Sequence, residues 1–169
     1  KTTGAPITIL FENKNIRSAD YERQRDVPRP GHADFVAKAK AGGFEDYRGS
    51  GHFSGRLTVA LVAAGVVAKK LLVTHPSPPG EGQGVRLQSK ILEIGDETDL
   101  DKGLQKAIDN KDSIGGIIEC RVNGLPVGLG EPFFDSAESL LSHIVFAIPA
   151  VRGIEFGTGF AAAKMFGSQ

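Results

Sequence analysis

The 169 residues predict an α+β fold, a layered β-α-β sandwich built around a buried central helix. Three observations carry that expectation. Segments with strand-like and helix-like apolar spacing follow one another in mixed order, with no internal repeat and no linker. The apolar residues of 56–72 surround the helix axis instead of lining one stripe, which is the pattern of an element covered on nearly all sides. Glycine makes up 22 of the 169 residues, well above the average of about 7 %. With no low-complexity sequence, that excess points to sharp turns or to backbone lying close to a ligand.

The elements follow in order. Residues 6–12 mix β-branched and apolar side chains and read as a strand. Residues 13–31 are polar, carry Pro28, Pro30 and Gly31, and read as an irregular loop. A short helix is expected over 33–41, stopped by Gly42-Gly43. Residues 46–55 form a glycine-rich loop that opens the helix at 56–72. Ser54 can cap that helix, and Lys69 and Lys70 oppose its dipole in the last turn. Residues 75–84, with three prolines and three glycines, read as a surface excursion. A half-exposed strand follows over 85–94, with Val85, Leu87, Ser89 and Ile91 on one face. An amphipathic helix is expected over 99–109, a strand over 114–122 and a turn at Asn123-Gly124. A helix over 136–148 ends at Pro149, and a short strand over 151–156 precedes a last helix at 160–166.

Charge and cysteine content exclude several functions. Lysine plus arginine is 20 and aspartate plus glutamate is 20, so the chain has no formal net charge and is not a general nucleic-acid binder. A local basic pocket for a small phosphorylated ligand remains compatible with that balance. The single cysteine, Cys120, excludes an internal disulfide and a multi-cysteine zinc site, and fits a reducing, cytoplasmic compartment. Cys120 is expected as a buried apolar thiol in its strand. The longest charge-free stretches, such as 57–68, fall short of the roughly 20 apolar residues of a membrane span, so no membrane partner is expected. The chain starts at Lys1 and its only methionine is Met165, so a processed, engineered or partial chain is expected.

Two loops could carry chemistry. The segment 49–56 leads into the N-terminus of the apolar helix, where backbone N–H groups lack partners. It reads either as a phosphate cradle flanked by Arg48 and Arg56, or as a turn with an N-cap. It lacks the Gly-Lys-Ser/Thr ending of a Walker loop and the third glycine of a dinucleotide fingerprint, because that position is Ser54. In Arg29-Pro30-Gly31-His32-Ala33-Asp34, turn residues hold an imidazole next to a helix start. His32 is either a proton-transfer group or a surface histidine. His52 is a second candidate, His75 is expected to be solvated, and His143 is expected in a core or interface. No His-x-x-x-His spacing occurs, so no metal site is expected. Glu131 reads as a solvated turn carboxylate before an acid–base group.

Eight segments in register resemble the chorismate synthase family. They are Thr2-Thr3-Gly4-Ala5-Pro6-Ile7, residues 13–21, residues 29–34, Asp46-Tyr47-Arg48-Gly49, residues 51–58 with Val62-Ala63-Ala64-Gly65, residues 112–116, residues 126–130 and residues 148–157. The resemblance covers almost the whole chain and is weakest over 75–111. It implies that residues 1–169 are the central part of a single domain whose family N- and C-terminal segments are absent. It further implies 1,4-anti elimination of phosphate from 5-enolpyruvylshikimate 3-phosphate, with reduced FMN as cofactor. His32 then matches the group that protonates the reduced flavin. Arg29 and Arg56 match substrate-binding positions, and His52, Phe53 and Ser54 match the flavin-binding loop. Many members read Arg-Ser-Ser-Ala-Arg over 52–56, so backbone contacts carry over here better than the His52 and Phe53 side chains. Members also carry a Gly-Glu-Ser-His segment before this region, and Lys-Pro-Thr and Arg-x-Asp segments after it. The resemblance implies a homotetramer for the whole enzyme. For these residues alone the alternative is an inactive core that binds at most flavin or phosphate.

Overall fold

The computed structural model describes residues 3–15, 17–74 and 84–168. Its regular elements are α1 (Asp34–Lys40), α2 (Thr58–Thr74), β1 (Arg86–Ile94), α3 (Leu100–Asn110), β2 (Gly116–Asn123) and α4 (Ala137–Val145). Short 3₁₀ turns lie at Ser18–Gln24, Arg48–Phe53, Gly55–Leu57, Phe133–Asp135 and Gly159–Lys164. Helices mixed with one antiparallel two-stranded sheet make this an α+β protein. The chain divides into two compact units, Lys1–Gly65 with Ala137–Gln169 and Val66–Ser136, and the division falls within α2.

In the second unit, β1 pairs with β2 from Arg86 opposite Asn123 to Ile94 opposite Gly116. The register shifts between Ile91 and Glu93, which leaves Leu92 as the extra residue of a bulge. A two-stranded sheet is marginal in water without packing, and α3 packs against β1. The Asp99 side chain accepts from the Lys102 N–H and caps α3. Lys111 closes the helix in the left-handed conformation, its N–H donating to Ile108 O and that of Asp112 to Ala107 O. The α3 and β1 boundaries lie within a residue of those read from the sequence. Asn123 ends β2 and Gly124 takes a left-handed φ of 76°, but no described strand follows to complete a hairpin there.

The first unit forms around the 3₁₀ turns and α1. Helix α1 ends at Gly42 and Gly43, both left-handed, as the glycine pair requires. Lys38 on α1 pairs with Asp26 at 3.4 Å, and the Arg25 guanidinium lies 5.3 Å from the Tyr47 ring centroid. These contacts tie α1 and the first 3₁₀ turn to the glycine-rich loop.

Several expectations fail for one physical reason. Residues 6–12 and 151–156 form no strand. An extended segment becomes a strand only by giving its N–H and C=O groups to a neighbour, and no described neighbour takes them. The helix over 160–166 is a 3₁₀ turn instead. Most clearly, α2 is not a buried central element within this chain: Val59, Leu61 and Val66 are 45–49 % exposed and Val62 is 66 % exposed. Cys120 is likewise exposed, although the alternation correctly aligns it with apolar Ile118 and, across the ladder, with Ser89. The patterns are right, but the described residues supply no cover. Ala37 is their one buried apolar side chain.

Gly103 shows where packing is tight. A Cβ there would stand 2.6 Å from Ile94 O and 2.7 Å from Ile94 Cβ. Helix propensity alone favours Gly103→Ala by about 1 kcal/mol, whereas overpacking costs about 1–3 kcal/mol. The obstacle is backbone and cannot rotate away, so the variant is expected to unfold at lower denaturant concentration than the parent. An unchanged or raised midpoint would show that α3 does not sit against β1 so closely.

Candidate functional site

The turn at residues 29–34 folds back on itself. The His32 N–H donates to Arg29 O at 3.3 Å, and Gly31 takes a left-handed φ of 68° that a Cβ would penalise. The reversal brings the start of α1 under Arg29. Asp34 accepts from Arg29 Nε at 2.7 Å, Arg29 Nη2 at 3.0 Å and the Arg29 backbone N–H at 3.2 Å. His32 Nδ1 lies 2.9 Å from Asp34 Oδ1 and 3.3 Å from Arg29 Nη2. The hydrogen bond from the Arg29 guanidinium holds the Asp34 carboxyl well below the usual carboxylate range, and Asp34 in turn raises Arg29 above its ordinary value.

The glycine-rich loop supplies the other side. Gly49, Ser50 and Gly51 have φ of 70°, 72° and 48°. Left-handed backbone is ordinary for glycine but unfavourable for serine. Ser50 is nonetheless buried, and its Oγ accepts from Arg29 Nη2 at 2.8 Å. The Arg56 guanidinium lies against Gly49, where an added Cβ would meet Nη2 at 3.0 Å and Nη1 at 3.1 Å. Arg56 Nη2 also donates to the Tyr21 hydroxyl at 3.1 Å. Adjacent residues of one loop therefore receive two guanidiniums, Arg29 on Ser50 and Arg56 on Gly49.

The charges of these arginines are not equivalent. Arg29 is paired with Asp34, and Arg48 with Asp46 at 3.0 Å. The Arg48 hydrogen bond lowers the Asp46 carboxyl. Arg56 has no carboxylate partner among the described residues. Net positive charge at this loop therefore belongs to Arg56, and Arg48 is not the free flanking cation that the sequence suggested.

Ser54 caps the following turn by accepting from the Arg56 N–H at 3.2 Å. That N–H is thereby used and does not face an open pocket. A cavity of this unit is lined by Arg25, Asp34, Lys38, Glu45, Tyr47 and Ser50. Glu45 Oε2 is buried without a hydrogen-bond partner among the described residues. His52 and Phe53 are exposed at the end of the 3₁₀ turn. His143 is exposed on α4 instead of lying in a core, and Glu131 is exposed in its turn. His75, with most of the expected excursion at 75–84, lies outside the described residues. No three potential metal ligands cluster among the described residues.

Sequence reading missed Ser50 and Tyr21. Ser50 gave no signal, since left-handed backbone is not one that a serine favours. Tyr21 gave none either, because its partner lies 35 residues away.

Two outcomes follow. The lowered Asp34 carboxyl stabilises the fold above the ordinary carboxylate value of about 3.9. That stability should be lost as pH falls from about 4 through the lower folded value. Asp34→Asn should therefore flatten the acid limb of urea midpoints measured between about pH 5 and 2; an identical acid limb in parent and variant would contradict the pairing. Gly49→Ala should push the Arg56 guanidinium off the loop and add about 1–2 kcal/mol of backbone strain. The check is a lowered thermal midpoint together with loss of the Arg56–Tyr21 contact in nuclear Overhauser spectra.

The family model described as chorismate synthase matches residues 1–169. A chorismate synthase of Chitinophaga pinensis is 63 % identical over 166 residues, covering 98 % of this chain and 47 % of the relative. One from Dehalococcoides mccartyi is 43 % identical, covering 99 % of this chain and 51 % of the relative. One from Pyrococcus abyssi is 42 % identical, covering 99 % and 52 %. The chain thus spans about half the length of the curated relatives it matches. Because that family model matches all 169 residues, the chain belongs to the chorismate synthase family.

Proposed function

We propose that the protein carrying this chain is a chorismate synthase, a lyase that removes phosphate from 5-enolpyruvylshikimate 3-phosphate in a 1,4-anti elimination. In that reaction a ring C–H bond and the C–O bond to phosphate both break and a second ring double bond forms, with no net oxidation. The observation that carries the reading is the convergence of Arg29 and Arg56 on one loop, with His32 beside Arg29, in a chain of this family. Arg56 supplies the uncompensated charge for the substrate's phosphate or carboxylate, and its planar fork suits either oxyanion. Arg29 is already neutralised by Asp34, so it contributes orientation more than charge.

The donor set fits reduced FMN. Phe53 offers a ring that is 42 % exposed, and His52 lies exposed beside it. Ser54 Oγ accepts from the Arg56 N–H, which leaves the hydroxyl proton available to a phosphate oxygen. When bound, the reduced flavin supplies an electron-rich ring system that is not consumed overall. His32 holds the exchangeable proton of this site. The helices of the described residues include none long and apolar enough to cross a membrane. A layered β-α-β arrangement and a homotetramer belong to the same proposal, supported by the uncovered apolar surface of α2.

His32→Ala in the whole protein should leave the fold intact and slow the chemical step about 10²–10⁴-fold. The measurement is chorismate formation under anaerobic conditions with reduced FMN; an unchanged rate at saturating substrate would remove His32 from the mechanism. A second reading is an inert core. It is favoured by the chain's spanning about half of its relatives and by Ala37 being the one buried apolar side chain among the described residues. The same assay on the 169 residues alone separates the two, since turnover near that of a complete relative would exclude the inert core.

A further inference from the structure

We propose that Asp34 is a positioning residue that holds the His32 proton on Nδ1, so that proton exchange with a bound molecule occurs at Nε2, while the same carboxylate fixes the Arg29 guanidinium. The argument starts from donor and acceptor inventories. A guanidinium only donates and an ionised carboxylate only accepts. His32 Nδ1 lies within reach of both, 2.9 Å from Asp34 Oδ1 and 3.3 Å from Arg29 Nη2. The two contacts require opposite tautomers, since a protonated Nδ1 serves the carboxylate and a bare Nδ1 serves the guanidinium.

Three features decide for the carboxylate. It is closer by 3.3 against 2.9 Å, and it carries a charge complementary to the N–H. Arg29 Nη2 already has two acceptors, Asp34 Oδ1 at 3.0 Å and Ser50 Oγ at 2.8 Å, so it needs nothing from the imidazole. Asp34 is also the least exposed of the three side chains, at 18 % against 35 % for both Arg29 and His32. The lowered carboxyl of Asp34 agrees, because the group stays an acceptor throughout the neutral range.

The outcome is an imidazole whose orientation and tautomer are set from one side, with Nε2 left for a ligand. The tautomer rests on geometry alone, and only its effect on rate rests on the proposed function. Because Oδ1 is shared, turning the His32 ring away would also disturb Arg29.

The test uses 15N-histidine labelling, with His32 assigned by the signal lost in His32→Gln. At a pH where imidazole is neutral, the parent should show nitrogen shifts and couplings of an Nδ1–H ring at His32. Asp34→Asn, which loses the charge and replaces one acceptor oxygen with an amide donor, should move the population toward Nε2–H. In the whole protein it should lower kcat by about 10²-fold or more, with a smaller change in KM. Asp34→Glu should recover part of kcat. An Nε2–H ring in the parent overturns the proposal, and this reading requires no Asp34 variant to fold. An Asp34→Asn variant that keeps the Nδ1–H tautomer overturns it as well. The expected tautomer in a protein that forms no chorismate supports the role of Asp34 and refutes the activity, so the two failures are distinguishable.

Discussion

The Asp34 carboxylate organises everything of chemical interest in the first unit. It collects three hydrogen bonds from Arg29 and faces the His32 ring, and through Arg29 it reaches Ser50 on the glycine-rich loop. A turn of six residues, stiffened by Pro30 and reversed at Gly31, is thereby joined to a loop some twenty residues further on. Removing one charge from such an arrangement leaves the others unpaired, which costs more than the pair itself contributes. The site is therefore a unit that forms or fails together.

The second organising fact is what lies uncovered. Helix α2 is apolar around its circumference, and large side chains along it are about half exposed. Burial of apolar area contributes about 25 cal/mol per Å², so such a helix gains most of its stabilisation only when other surfaces close on it. The exposed Ile118 and Cys120 on β2 belong to the same condition. By contrast, the site of Arg29, His32 and Arg56 is held by short-range polar contacts and glycine backbone. It is assembled here although the apolar surfaces are not.

That contrast explains what could be read from the sequence. Helices α1, α3 and α4 and both strands of the sheet were legible because local spacing and end signals determine them: Asp99 as a cap, Gly42 and Gly43 as a stop, alternation along β1. The segments at 6–12 and 151–156 carry strand-like residues, yet a strand is a relation between two segments and not a property of one. The depth of α2 was misjudged for the same reason. Within the site, His32, Arg29 and Arg56 stood out by residue type and motif. The Arg56–Tyr21 hydrogen bond and the neutralisation of Arg48 by Asp46 did not, because they depend on side-chain geometry.

Ser50 carries a consequence for how this loop can vary. Its backbone sits at φ 72°, where glycine is at ease, while its hydroxyl holds Arg29 from a buried position. Replacement by glycine would relax the backbone and remove the hydroxyl. Most larger residues would keep the strain and collide with neighbours in a space built for serine, and asparagine or aspartate tolerate the backbone but bring more bulk. Position 50 is thus a site where selection for a sturdier fold and selection for a well-aimed arginine pull in opposite directions. Drift there is confined to a very short list of residues, and a more stable protein with a blunted anion site is one mutation away.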